Sequence, residues 1–289
     1  MRLRTLPLSL SGIVMGSSLA AASHTVSIPT LVFLALTTVC LQILSNLSNE
    51  LGDTLHGVDT EQRAGIRYSL QDGDMGIADM KRLIGVMVAL CCVFGLLMIR
   101  FAFGKLLSPI AVLFVLLGAS AIWAAMRYTL GKHPYGYAGL GDIFVFIFFG
   151  VTSVAGAYFV CARTWDDWSV LLPVASIGLF SVAVLNVNNI RDMLTDRASR
   201  TTVAMRLGDR RARIYQTVLI VLGWVAMIIF TLLRGGGITS WLFVLVLPMF
   251  VMHLKGVWTL EDRDLDPMLP LLVMGSFLFS ALSALGFLL

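Results

Sequence analysis

Nine apolar runs fill most of this chain, at about 6–23, 28–50, 82–103, 107–127, 142–162, 168–190, 214–233, 238–254 and 269–288. A helix that crosses a bilayer needs about 20 such residues. Each run is therefore one span long, and little chain remains for anything else. Only 13% of the 289 residues are charged against 58% hydrophobic, too little polar surface to cover a water-soluble globule. The predicted fold class is all-α: a membrane protein of nine transmembrane helices in the lipid bilayer. Arg2 and Arg4 ahead of the first run, and Ala20 to Ser23 behind it, imitate a cleavable signal peptide. Gly12, Gly16, Ser17 and Ser18 instead suit a helix packed closely on others, so a retained span is expected.

Two long polar connections, about 51–81 and 191–213, follow the second and sixth runs. Alternating the spans puts Arg100, Lys105, Arg163 and Arg234 on one side and the other 17 of 21 Lys and Arg residues opposite. The positive-inside rule then turns both long connections toward the cytoplasm of a multi-pass cell (inner) membrane protein. The net charge of +4 belongs to that orientation signal, and no nucleic-acid partner is expected. Cys40, Cys91, Cys92 and Cys161 lie in or beside apolar runs without metal-site spacing and read as packing residues. The single histidines, His24, His56, His133 and His253, read as solvated.

Carboxylates near bilayer depth cost roughly 2.5–3.5 kcal/mol even on insertion scales, so acids that end an apolar run usually face a cavity. Asn46 to Asp59 reads N-L-S-N-E-L-G-D-T-L-H-G-V-D, and Asn188 to Asp196 reads N-N-I-R-D-M-L-T-D. They share N-[EN]-[LI]-x-x-D, with Asn49, Glu50, Leu51 and Asp53 matched to Asn188, Asn189, Ile190 and Asp192, each 139 positions later. Copies four spans apart point the same way across the membrane. The expected organisation is one domain, 1–289, of two parallel four-helix repeats, about 1–127 and 128–254, plus one extra helix at 269–288. Within each motif the i, i+4 spacing of Asn and Asp puts their oxygens on one helix face. Gly52 and Gly57 are expected to fray the first motif helix, returning Asp59 to the site from a turn.

Carboxylate and amide oxygens without Cys or His select a hard cation, and Mg²⁺ takes one or two carboxylates while leaving places for phosphate. Arg63, Arg67, Arg191, Arg197, Arg200 and Arg206 follow the motifs, where guanidinium forks suit phosphate oxygens. The same arginines also satisfy the positive-inside rule. A diphosphate beside an apolar groove points to a lipid diphosphate as substrate. The connection Tyr128 to Asp142, Y-T-L-G-K-H-P-Y-G-Y-A-G-L-G-D, lies on the same side and is expected to cap the site. Lys132 can reach diphosphate there, and Tyr128, Tyr135 or Tyr137 either presents a ring face to a carbocation or belongs to an interfacial aromatic belt. Glu61, Asp72, Asp74 and Asp79 read as loop acids, and Glu261, Asp262, Asp264 and Asp266 as an exposed acidic connection. Asp166 and Asp167 lie on the outer side without a comparable partner.

At these residues the chain resembles the intramembrane prenyltransferases of the UbiA superfamily, most closely the 1,4-dihydroxy-2-naphthoate polyprenyltransferases of menaquinone synthesis. The resemblance rests on R-T-L-P-L at Arg4 to Leu8, the two acidic motifs, and the Tyr128 to Asp142 stretch, which points to the naphthoate branch. It implies a UbiA-type bundle that transfers a polyprenyl group from polyprenyl diphosphate to 1,4-dihydroxy-2-naphthoate, with Mg²⁺ as cofactor. By position it implies metal ligands Asn49, Glu50, Asp53, Asn188, Asp192 and Asp196. Asp53, Asp59, Asp192 and Asp196 would be catalytic, and Arg63, Arg67, Tyr128, Lys132, Arg191, Arg197 and Arg200 would bind substrate. The chain departs from the pattern at Glu50, where Asp is usual, at Arg200, where Lys is common, and in starting almost at the first motif. Another aromatic acceptor such as 4-hydroxybenzoate is the alternative. A transporter fits less well, because its spans are usually broken at mid-depth.

Overall fold

The computed structural model of the chain describes residues 5–57, 70, 75–196 and 200–289. Arg2, Arg4, Asp59, Glu61, Arg63, Arg67, Asp72, Asp74 and Arg197 lie outside the described residues. Nine helices coincide with the nine apolar runs: α1 Leu6–Ala21, α2 Ile28–Leu55, α3 Ile77–Phe103, α4 Pro109–Arg127, α5 Gly141–Ala162, α6 Trp168–Arg191, α7 Asp209–Arg234, α8 Ile238–Thr259 and α9 Met268–Leu288. The last eight are long and apolar enough to cross a membrane, and α1 is a shorter apolar helix. No strand occurs among the described residues; Ala138 and Thr201 form an isolated parallel bridge. Helix starts and stops follow local chemistry. Pro29 and Pro109 sit in first turns, where a missing N–H costs nothing. Gly104 and Gly235 end α3 and α7 with φ of 74° and 62°, a conformation glycine adopts without strain.

Lipid is as apolar as a leucine side chain, so burial alone does not draw these helices together; close packing does. Residues such as Val86, Val93, Leu113 and Leu116 therefore stay exposed on the outer faces of α3 and α4. The most enclosed span is α6, with 72% of its apolar window buried against 17% for α4. A Cβ on Gly150 would lie 2.7 Å from the Gly178 Cα, so α5 and α6 cross at a contact only glycines permit. Phe180 of α6 packs against Phe250 and Phe279 with ring centroids 4.8 and 5.1 Å away, and fills the space above Gly223. On α1, Gly12 and Gly16 abut Ser153 and Val154 of α5, as expected of a packed span. Cys40, Cys91 and Cys161 are buried and Cys92 is exposed, all four as free thiols.

The two ends of the bundle sort polar groups as the alternation of spans requires. At the end away from the motifs, His24 Nε2 lies 3.1 Å from Asp166 Oδ2, and the Tyr158 hydroxyl donates to Asp166 Oδ1 at 2.6 Å. Arg234 Nη2 donates to Asp167 Oδ2 at 2.6 Å. Both acids thus have partners, because the α5–α6 turn meets the ends of α1 and α7. The Tyr158 bond holds Asp166 below the usual carboxylate range. Partial burial pushes Asp167 up, but its bonds to Ser169 and Arg234 outweigh this and leave it lowered. His253 departs from expectation. It is fully buried in α8, with Nδ1 2.9 Å from the Met268 carbonyl and Nε2 2.9 Å from Gln216 Nε2.

Candidate active site

The first motif occupies the last turns of α2, which stays helical through Gly52 to Leu55. The helix does end just ahead of Gly57, which takes φ 66°, as expected, but Gly52 does not fray it. It makes room for Thr129 at the end of α4, whose Oγ1 would lie 2.5 Å from a Cβ at that position. The Thr129 hydroxyl lies 2.8 Å from the Ser48 carbonyl and 3.2 Å from Asn49 Oδ1, which clasps α4 to the motif. Asp53 is buried, and its Oδ1 accepts a 2.7 Å bond from the Tyr137 hydroxyl. Glu50 is also buried; its Oε1 accepts from the Leu70 N–H at 3.1 Å.

The second motif begins in the last turn of α6 and keeps its i, i+4 register beyond it. The amide of Asp192 donates to the Asn188 carbonyl, that of Asp196 to Asp192, and that of Arg200 to Asp196, at 3.0–3.1 Å. Asn188 and Asp192 are half-buried and Asp196 is buried. Arg191 grips Asp192 with both arms, Nε to Oδ1 and Nη2 to Oδ2 at 2.8 Å each, and Nη2 also reaches Asn188 Oδ1 at 2.9 Å. Its remaining nitrogen, Nη1, donates to Asp266 Oδ1 at 2.7 Å. Asp266 is therefore a half-buried acid paired across the fold, unlike Glu261, Asp262 and Asp264, which are exposed.

Arg200 joins the two motifs. It donates through Nε and Nη2 to Asp196 Oδ2, with the Nε bond at 2.7 Å. Burial works to lower the guanidinium, yet the charges of Asp196 and Asp53 outweigh it and hold Arg200 above its usual range. Both motifs therefore lie within its electrostatic reach, and so does Tyr128.

The Tyr128–Asp142 connection bridges the same groups. Tyr137 uses its hydroxyl on Asp53 and its carbonyl on the Thr201 amide, at 3.0 Å, while Arg206 Nη2 donates to the Ala138 carbonyl at 3.0 Å. The Tyr128 ring fits over Gly136, where a Cβ would come within 3.0 Å of it, and the Tyr128 hydroxyl would lie 3.1 Å from a Cβ on Gly141. Tyr135 stacks on Phe144 at 4.0 Å and gives its hydroxyl to the Ala124 carbonyl, so it anchors the loop to α5 and α4. Lys132 is exposed on the same loop. Of the residues expected to form the site, Asn49, Asp53, Asn188, Asp192, Asp196, Tyr128, Arg191 and Arg200 gather at this end. Sequence reasoning missed Thr129, Thr201 and Asp266. A buried-side Gly52 beside the motif was the available signal for Thr129, and nothing local signalled Asp266.

The donor set suits a hard cation. Among the described residues no three His, Cys, Asp or Glu side chains form a ready-made cage. Mg²⁺ needs none, since one or two carboxylates suffice when water and phosphate complete its shell. Each motif offers an amide and a carboxylate oxygen within one helical turn of each other.

Comparison with known proteins bears on the whole chain. The family model described as UbiA prenyltransferase family matches residues 9–284. A protein of Escherichia coli (strain K12) named 1,4-dihydroxy-2-naphthoate octaprenyltransferase is 37% identical over 289 residues, 99% of this chain and 92% of its own length. A protein of the same name from Mycobacterium tuberculosis (strain ATCC 25618 / H37Rv) is 35% identical over 77% of this chain and 73% of its own length. The fold matches the apo structure of a UbiA homolog from Aeropyrum pernix K1 with a TM-score of 0.74, over 98% of both chains at 15% identity. With a family match across nearly its full length, a close relative and a shared bundle, this chain belongs to the UbiA prenyltransferase family.

Proposed function

We propose that this protein transfers a polyprenyl group from polyprenyl diphosphate to 1,4-dihydroxy-2-naphthoate, releasing diphosphate and CO₂ and giving demethylmenaquinol, with Mg²⁺ as cofactor. The observation that carries this reading is the meeting of two motifs, far apart in the chain, through Tyr137, whose hydroxyl bonds Asp53 and whose carbonyl takes the amide of Thr201, next to the Arg200 that pairs with Asp196. The names borne by the relatives support the choice of acceptor. Asn49 and Asp53 in one half-site, and Asn188, Asp192 and Asp196 in the other, are the proposed cation ligands. Mg²⁺ held there would neutralise charge on the leaving diphosphate.

The chain's own residues do the rest. Arg191 and Arg200 present N–H groups to phosphate oxygens as the allylic carbon–oxygen bond breaks and its electron pair leaves with diphosphate. Apolar helix walls keep water from the allylic cation, and the Tyr128 ring is proposed to stabilise it through its face. The electron-rich naphthoate ring then bonds the cation at the carbon bearing its carboxylate. The bond to the carboxylate breaks, its electron pair returns to the ring, and CO₂ leaves. No protein nucleophile is required. Arg63, Arg67, Arg197, Lys132 and Asp59 are proposed to contribute by sequence position. The bias of 17 among 21 basic residues supports a cytoplasmic site in the inner membrane.

The test supplies carboxyl-labelled 1,4-dihydroxy-2-naphthoate with polyprenyl diphosphate and Mg²⁺. One labelled CO₂ per prenylated product is expected. Preference for 4-hydroxybenzoate, prenylated without loss of CO₂, would overturn the choice of acceptor.

A further inference from the structure

We infer that Asp266 is a positioning residue of this site, acting through Arg191. The inference rests on the reading of the two motifs as a diphosphate-binding site. Arg191 spends Nε and Nη2 on Asp192 and Asn188, the groups proposed to hold a cation, and Nη1 on Asp266, 75 residues along the chain. The contact to Asp266 is therefore the one that survives when the motif oxygens turn to a cation. Anchored through Nη1, the guanidinium stays at the motif, and Nε and Nη2 become free to serve phosphate oxygens as a fork. Without Asp266, Arg191 would have to follow either the motif carboxylate or solvent.

The turn that carries Asp266 is built to hold it still. Leu265, immediately before it, is fully buried in a cluster with Val187 and Ile190 of α6 and Val257 of α8. Pro267, immediately after it, fixes the backbone leading into α9. Asp262 opens the turn at φ 45°, in the left-handed region that a residue with a side chain adopts only when its surroundings impose it. The Asp266 side chain is 49% exposed against 21% for Arg191, so the acid stands at the rim of the site and the guanidinium inside it. A cleft lined by Pro7, Asp266, Pro267, Pro270 and Met274 opens directly beside the pair.

The experiment measures binding of inorganic pyrophosphate by calorimetry, with Mg²⁺ present, to the purified full chain in detergent. Asp266→Ala should weaken binding about tenfold, the scale of one charge-assisted hydrogen bond. Asp266→Asn should weaken it less, because the amide oxygen still accepts from Nη1, and Asp266→Glu should restore part of the affinity. In an Arg191→Ala background, Asp266→Ala should change nothing further. Unchanged affinity in D266A, or an equal loss with and without Arg191, overturns the inference. A drop in melting temperature with pyrophosphate affinity intact overturns it too, as that is what a purely structural acid would give. Should D266A fail to fold, the D266N and D266E pair is read by the same criteria. Failure of the unaltered protein to bind pyrophosphate would instead defeat the reading of the site itself.

Discussion

Gly52→Ala is a one-carbon change whose outcome depends on which of two opposed effects is larger. In a helix interior Ala is favoured over Gly by about 1 kcal/mol, so a chain that left this face open would gain stability. Here the new Cβ would lie 2.5 Å from Thr129 Oγ1, 2.6 Å from Thr129 Cβ and 2.7 Å from the Thr129 carbonyl oxygen. Two of those atoms cannot swing away without moving the end of α4. Overpacking of this kind costs about 1–3 kcal/mol, and the bonds from Thr129 to Ser48 and Asn49 are worth roughly 1 kcal/mol more. The net expectation is a loss of about 1–3 kcal/mol, taken from the propensity gain set against these two costs. Function should fall further than stability. Thr129 begins the loop that delivers Tyr137 to Asp53, and losing a hydrogen bond to a charged group costs about 1.5–3 kcal/mol, or roughly ten- to a hundredfold in kcat/KM. Gly85→Ala is the matched control, since that helical position has open space around its Cβ. It should stabilise slightly and leave turnover alone. Melting temperature in detergent and kcat/KM for prenyl transfer decide the matter: a Gly52→Ala protein as stable as Gly85→Ala and fully active would refute the clasp.

Two further predictions concern acids. Asp53→Ala and Asp192→Ala should each lower turnover by more than the 10²- to 10³-fold typical of losing one electrostatic donor, while exposed Asp264→Ala stays near neutral; equal loss in all three, read by product formation in membranes, would show a stability effect and not catalysis. Asp166 and Asp167 are both held below the ordinary carboxylate range, so they stabilise the fold above about pH 4 and that contribution fades as pH falls through their lowered values. Melting temperature should therefore drop on acidification, modestly because Asp166 is exposed and Asp167 only half-buried. Asn at both positions should flatten that part of the pH profile, and an unchanged profile would dissociate these acids from stability.

The spans were legible because lipid imposes a simple rule of length and apolarity; α2, α3, α7 and α8 run past their apolar runs into polar residues, which that rule does not mark, and α2 does so at the motif. There, glycine carried two meanings. As punctuation, Gly52 reads as fraying; as an absent side chain, it reads as a place where another chain segment approaches. Only the fold shows that Thr129 is that segment. The acids of the motifs were legible from matched spacing, which solvent-exposed loops do not preserve. Asp266 was not, because it sits among Glu261, Asp262 and Asp264 in a run that looks uniformly solvated, and its partner Arg191 is distant in sequence. His253 misled for a related reason. A lone histidine carries no sequence mark of burial, whereas its partner Gln216 lies on a different helix.

Buried polar groups also explain how each motif comes to face the right way. Hydrocarbon gives an apolar helix no strong reason to prefer one rotation about its axis, but a polar side chain in the bundle must find a partner. In α2, Asn46 precedes Asn49 by less than one turn. Asn46 Oδ1 accepts from Gln42 Nε2 at 3.1 Å, Gln42 Nε2 also lies 3.0 Å from Thr5 Oγ1, and Ser9 of α1 donates to Gln42 Oε1. In α6, Asn186 precedes Asn188 by two residues. It donates to Gln216 Oε1 of α7 at 2.8 Å, Gln216 passes its own N–H to His253 Nε2 of α8, and His253 ends the chain on the Met268 carbonyl of α9. That order requires a neutral imidazole with its proton on Nδ1, the tautomer that donates to the carbonyl and accepts from the amide. Each such bond is worth only about 0.6–2 kcal/mol in a membrane. Rotating α6 would break several of them at once while exposing amides to apolar surroundings, so the chains fix rotation far more firmly than any one bond suggests. The acidic motifs inherit that rotation, and with it the direction in which their oxygens point.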